Sequence, residues 1–115
     1  MSKLPLEYLR HIFAELKFLR DEVAKISEND FYSSETLKRA FVRSLEIIGE
    51  ATKNIPEDFR NQHNEIDWKN MARMRDKLIH HYFGVDYFIV WDVAKNEIPS
   101  LYVKILKIIQ YEEKS

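Results

Sequence analysis

Apolar residues recur at three- and four-residue steps through most of the chain, the spacing that gathers them on one face of an α-helix. Leu6, Leu9, Ile12, Phe13, Leu16 and Val23 form one such stripe. It predicts a first helix over residues 5–26, with Pro5 in the first turn. Phe18 falls on the opposite side of that wheel, as an exposed aromatic or as a second buried face. Residues 27–34 are polar and read as a connection. A second helix is predicted from the caps Ser33 and Ser34 to Asn54. Its Leu37, Phe41, Leu45, Ile48 and Thr52 face one way, and Arg39, Arg43, Glu46 and Glu50 the other. Gly49 costs a helix interior about 1 kcal/mol relative to alanine, so it marks a close helix–helix approach. Pro56 ends this run, and residues 57–67 read as a short helical turn and a loop.

A third helix is predicted over residues 68–83, stopping at Gly84 as a C′ residue. Asp86 caps a shorter helix reaching Ala94, with Phe88, Val90, Trp91 and Val93 as its apolar content. After Asn96, Pro99 opens a last helix striped by Leu101, Ile105, Ile108 and Ile109, and residues 112–115 read as a frayed tail. The expected fold is all-α: an antiparallel up-and-down bundle of about five helices, in one domain over residues 1–115.

Composition agrees with that reading and removes several functions. Two glycines and three prolines in 115 residues are too few for a turn-rich β-sandwich. Zero cysteines exclude a disulfide framework, a thiol nucleophile and a cysteine zinc site. Eighteen basic against nineteen acidic residues leave a formal charge of −1, so any nucleic-acid contact must come from a local patch. No secretory h-region follows Met1 and no apolar run nears the roughly 20 residues of a membrane span. The expectation is a soluble cytoplasmic protein.

The third helix carries the chemistry. On a wheel of about 100° per residue, Trp68, Met71, Ala72, Leu78, Ile79 and Tyr82 share one arc, and Arg75 falls in the middle of it. A guanidinium keeps its charge, so Arg75 either pairs with a carboxylate such as Glu46 or Glu50, or lines a wet cleft. His80 and His81 follow. They are either a solvated pair favoured by the helix C-terminus, or a source of acid–base catalysis at neutral pH. Histidine with arginine suits metal-free phosphodiester transfer: one moves protons, the other neutralises charge on the phosphorane. Adjacent histidines diverge on a helix and make poor joint metal ligands. Arg75 and His80 would themselves diverge by about 140° on an ideal helix, an obstacle that a second subunit facing the groove removes. His11 and His63 have no chemical neighbours in sequence and read as surface residues.

The segment from Arg75 through His80, His81 and Tyr82 to Phe83-Gly84-Val85-Asp86 resembles the R-x4-H-x-Y signature of HepT-type toxins in the HEPN superfamily. Arg39-Ala40 and Leu45-Glu46-Ile47-Ile48-Gly49-Glu50-Ala51 resemble that family's second-helix block. Ile66-Asp67-Trp68 and Val90-Trp91 resemble the segments either side of the motif. The resemblance implies a homodimeric, HEPN-like ribonuclease needing no metal or other cofactor, with Arg75 and His80 of both subunits meeting in the cleft. It further implies a type II-like toxin–antitoxin pair, in which an MNT-type nucleotidyltransferase antitoxin silences the toxin by AMP transfer to Tyr82. Asp76 stands where the family often has asparagine; with His81 it is a possible supporting residue. The alternative is a non-catalytic helical adaptor that binds a nucleotidyltransferase.

Overall fold

The computed structural model describes residues 4–80 and 84–114, and for Ile79 and His80 the backbone alone. The architecture is all-α, as the hydrophobic periodicity requires. The first helix, α1 (Leu4–Val23), presents Leu9, Ile12, Leu16, Leu19 and Val23 to the core. It lies between α3 (Glu35–Lys53) and α8 (Ile98–Glu113), which complete the central layer. Phe18 is not exposed: it packs edge-on against Phe41 with ring centres 6.0 Å apart, the second buried face.

The segment 27–34 is more ordered than its polarity suggests. It contains α2 (Glu28–Ser33), opened by a reciprocal capping box. The Asp30 amide donates to Ser27 Oγ at 3.1 Å, and the Ser27 amide donates to the Asp30 carboxylate at 3.2 Å. This one-and-a-half-turn helix delivers the fully buried Phe31 into an aromatic cluster with Phe41, Trp91 and Tyr87. Ser34 then caps α3 by accepting the Leu37 amide.

At the far end of α3, Arg60 of α4 (Glu57–Gln62) reaches back. Its Nη2 donates to the Thr52 carbonyl and its Nε to the Ile55 carbonyl. A cation there satisfies carbonyls that a helix C-terminus leaves open. Gly49 sits where α3 crosses α5 (Trp68–Ala72): a Cβ at this position would stand 3.4 Å from the Ala72 carbonyl oxygen and 3.6 Å from that of Met71. The close approach that the glycine implies is present. Gly49→Val is therefore expected to lower the unfolding free energy by about 1–3 kcal/mol through overpacking. Gly49→Ala meets only ordinary contact and gains up to about 1 kcal/mol of helix propensity, so it should equal or slightly exceed the parent. Urea unfolding of the two variants checks the contrast, and equal stability would contradict it.

The third predicted helix is not continuous. It divides at Arg73 into α5 and α6 (Met74–Leu78), then leaves helical geometry altogether. A two-residue antiparallel ladder follows, β1 (Ile79–His80) against β2 (Gly84–Val85), pairing Ile79 with Val85 and His80 with Gly84. The Asp86 amide closes the base of the hairpin by donating to the Leu78 carbonyl at 2.8 Å. Residues 79–83 are β-branched, histidine and aromatic, types that rank low for helix. Gly84 does adopt positive φ, 74°, yet it serves a hairpin and not a helix C-cap.

Asp86 caps α7 (Tyr87–Asp92), accepting the Phe88 and Ile89 amides. The predicted break after Asn96 is absent. A wide π turn, Val93–Glu97, joins α7 to α8, with the Ile98 amide bonding back to the Val93 carbonyl. Such a turn accommodates Pro99, which lacks a donor and whose ring would crowd the preceding turn of a regular helix. Nor is the C-terminal end frayed from Glu112: α8 continues through Glu113, and Glu112 is buried. The described residues divide more finely than about five helices: α4 is the short helical turn expected within residues 57–67, while α2 and the α5–α6 break escape a periodicity reading.

Candidate active site

The break at Arg73 decides where Arg75 points. With the helix interrupted, Met74 and Leu78 become the buried pair of α6, and the Arg75 side chain is half exposed at its rim. The single wheel placed Arg75 in the buried arc, and it does so only because it assumes an unbroken helix. Arg75 Nε lies 3.3 Å from a carboxylate oxygen of Glu46 on α3. Of the two carboxylates considered for it, Glu46 is therefore the partner; Glu50 instead pairs with Lys53 on its own helix.

The hairpin alters the second half of the motif. His80 is in extended backbone, so the 140° divergence of an ideal helix does not apply between Arg75 and His80. The His80 side chain and the whole of His81 and Tyr82 lie outside the described residues. Asp76 is exposed, one position after Arg75, and its amide donates to the Arg73 carbonyl. Arg73 and Lys77 are also exposed, and Lys77 Nζ contacts the Asn70 side-chain oxygen. The five residues from 73 to 77 thus carry three cations and one anion, a modest basic patch on a chain of near-zero net charge.

The base of this segment is well anchored. The buried Trp68 indole N–H is shared between the carbonyls of His63, at 2.9 Å, and Arg60, at 3.2 Å. Asp67 caps α5 by accepting the Asn70 amide. These contacts tie α5 to α4, and the Gly49 approach ties it to α3.

On α7, Phe88 is 72% exposed and rests edge-on against Tyr32 at 5.0 Å. The Tyr32 hydroxyl donates to Glu28 at 2.7 Å. Its pKa is pushed up to about 12, first by loss of solvent and then by that hydrogen bond to a carboxylate.

His63 is not the surface residue its isolation in sequence suggests. It is buried against Phe59, with Nε2 3.6 Å from a Glu112 carboxylate oxygen and Nδ1 3.8 Å from one of Glu65. A cavity of about 650 Å³ adjoins it, lined also by Gln62, Lys107, Ile108 and Tyr111. The signal for this pairing was available: Glu112 continues the stripe Ile105–Ile108–Ile109 at helical spacing, so α8 carries it to the core side. His11, by contrast, is exposed.

Comparison with known proteins assigns the chain to a family. A family model described as HepT-like, "Ribonuclease HepT-like", matches residues 12–108. The chain is 52% identical over 111 residues to "Putative RNase TTE0752" of Caldanaerobacter subterraneus, covering 96% of this chain and 99% of that protein. It is 45% identical over 108 residues to "Probable ribonuclease HepT" of Thermococcus cleftensis, covering 94% and 98%. A third relative, "Putative RNase MJ0127" of Methanocaldococcus jannaschii, is 44% identical over 103 residues, 90% of this chain and 85% of that one. No solved structure matches significantly. The chain belongs to the HepT-like ribonuclease family, and its enzyme class is that of a ribonuclease. Among the described residues no helix is long and apolar enough to cross a membrane.

Proposed function

We propose that this ribonuclease is a metal-independent RNA endonuclease toxin, acting as a cytoplasmic homodimer whose cleft brings together Arg75 and His80 of both subunits. The observation that carries the reading is Arg75 itself: a half-exposed guanidinium on α6, paired with Glu46 at 3.3 Å, five residues before His80 on the same short segment. Its terminal amino groups have the planar geometry to take two phosphate oxygens.

In the reaction, a His80 imidazole accepts the proton of an RNA 2′-hydroxyl as that oxygen attacks the adjacent phosphorus. Arg75 stabilises the extra negative charge of the phosphorane. The bond to the 5′-oxygen breaks, and a protonated imidazole returns a proton to that leaving oxygen. The products are a 2′,3′-cyclic phosphate and a 5′-hydroxyl, with no atom left unbalanced. Asp76 and His81 are supporting groups beside the two central ones. Two copies of a short basic patch across one cleft give the RNA contact that the net charge of the chain alone does not.

Control of the toxin by an MNT-type nucleotidyltransferase antitoxin completes the reading. The transferase moves AMP from ATP to the Tyr82 hydroxyl and releases pyrophosphate. The adduct puts a phosphate and a bulky nucleoside two residues from His80, where the RNA backbone has to lie. The test is RNA cleavage before and after treatment with the co-encoded transferase and ATP, followed by mass spectrometry. The expected result is a parent protein that gains AMP on Tyr82 and stops cleaving, and a Tyr82→Phe variant that gains none and continues. Silencing of Tyr82→Phe by the same treatment would refute the modification site. Failure of the unmodified parent to cleave RNA would instead favour a helical adaptor that only binds the transferase.

A further inference from the structure

We propose that Glu46 is a positioning residue for Arg75, placed by the helix crossing that Gly49 permits. This deepens the reading above and rests on Arg75 being the phosphate contact. Gly49 on α3 meets Ala72 at the end of α5, and three residues earlier on α3, Glu46 meets Arg75, three residues later in the chain. The two contacts step in opposite directions, as antiparallel packing of α3 against α5–α6 requires. A side chain at position 49 larger than methyl would part the helices and carry Glu46 away from the guanidinium.

The chemistry of the contact fits a positioning role better than a stabilising one. Half of the Arg75 side chain and about a quarter of that of Glu46 are exposed, and ion pairs so placed add little to stability. Yet Glu46 approaches Nε, 3.3 Å away. That approach is to Nε, whereas the fork that matches two phosphate oxygens is made by the two terminal amino groups. An arginine at the rim of a short helix has many rotamers; a carboxylate on Nε selects those that turn the fork outward. Glu46 itself touches neither substrate nor reacting atoms in this scheme.

The role predicts a kinetic signature that a plain surface ion pair lacks. Glu46→Gln keeps the shape but not the charge. It is expected to lower kcat on the order of tenfold, because the fork is no longer held in its productive direction. KM should not rise, since a carboxylate beside the phosphate site has been removed. Glu46→Asp should recover part of the loss, and thermal unfolding of both should stay close to the parent.

A second readout needs no activity. The Arg75 Nε–H signal in a proton–nitrogen NMR spectrum, assigned by its disappearance in Arg75→Lys, should exchange with water more slowly in the parent than in Glu46→Gln. A Glu46→Gln enzyme with unchanged or increased kcat, or an unaltered Nε–H exchange rate, would overturn the proposal. Arg75→Ala separates the two levels: if it cleaves like the parent, the underlying reading of Arg75 fails. If it is inactive while Glu46→Gln is unaffected, only the positioning role fails.

Discussion

His80→Ala is expected to lose RNA cleavage by a factor on the order of 10²–10⁴, the range that a positioned general acid or base supplies. Arg75→Ala should lose on the order of 10²–10³, the effect of removing one charge stabiliser from a transition state. The structure makes the second variant discriminating. Were Arg75 buried, its removal would strand a carboxylate in the core and unfold the protein, and lost activity would mean nothing. Half exposed and paired with a partly exposed Glu46, it contributes about 0–1 kcal/mol to stability. Arg75→Ala should therefore retain helical circular dichroism and nearly the parent's urea midpoint while its cleavage collapses. Cleavage surviving in His80→Ala would remove that residue from the mechanism. An Arg75→Ala protein that unfolds would make the arginine a structural element.

Phe31→Ala should be the most damaging core substitution, at about 3–5 kcal/mol. Phe31 is fully buried, and its ring centre lies 4.8 Å from Phe41, 5.4 Å from Trp91 and 6.4 Å from Tyr87. It thereby joins α2, α3 and α7, three elements that make few other mutual contacts. Truncation leaves a cavity that these rigid rings cannot collapse to fill. Urea denaturation with an unchanged m-value is the measurement, and a loss below about 1 kcal/mol would show that the cluster does not hold the elements together.

Phe31 also marks where the sequence was hard to read. Long amphipathic helices announce themselves, and α1, α3 and the striped part of α8 follow from periodicity alone. A six-residue helix is too short for a period, so α2 passes for a polar connection; only the Ser27–Asp30 capping pair signals it. The candidate site was legible as chemistry and not as geometry. Arg75, His80 and the Glu46 alternative all stand in the sequence. The wheel, however, buried Arg75 because nothing local announces the break at Arg73 between α5 and α6. Gly49 worked in the other direction. Its helix cost had no local benefit, and the close α3–α5 crossing is the tertiary reason for it. His63 and Glu112 were missed as a pair because they meet across 49 positions of chain, although each lies on an element whose register could be read.

The most direct measurement of the central claim is cleavage of total RNA and of defined transfer RNA by the purified protein in EDTA, with the new ends mapped. The account predicts cuts bearing a 2′,3′-cyclic phosphate and a 5′-hydroxyl, produced by the parent and absent with His80→Ala. Cleavage that requires an added divalent ion, or that leaves a 3′-hydroxyl, would contradict it.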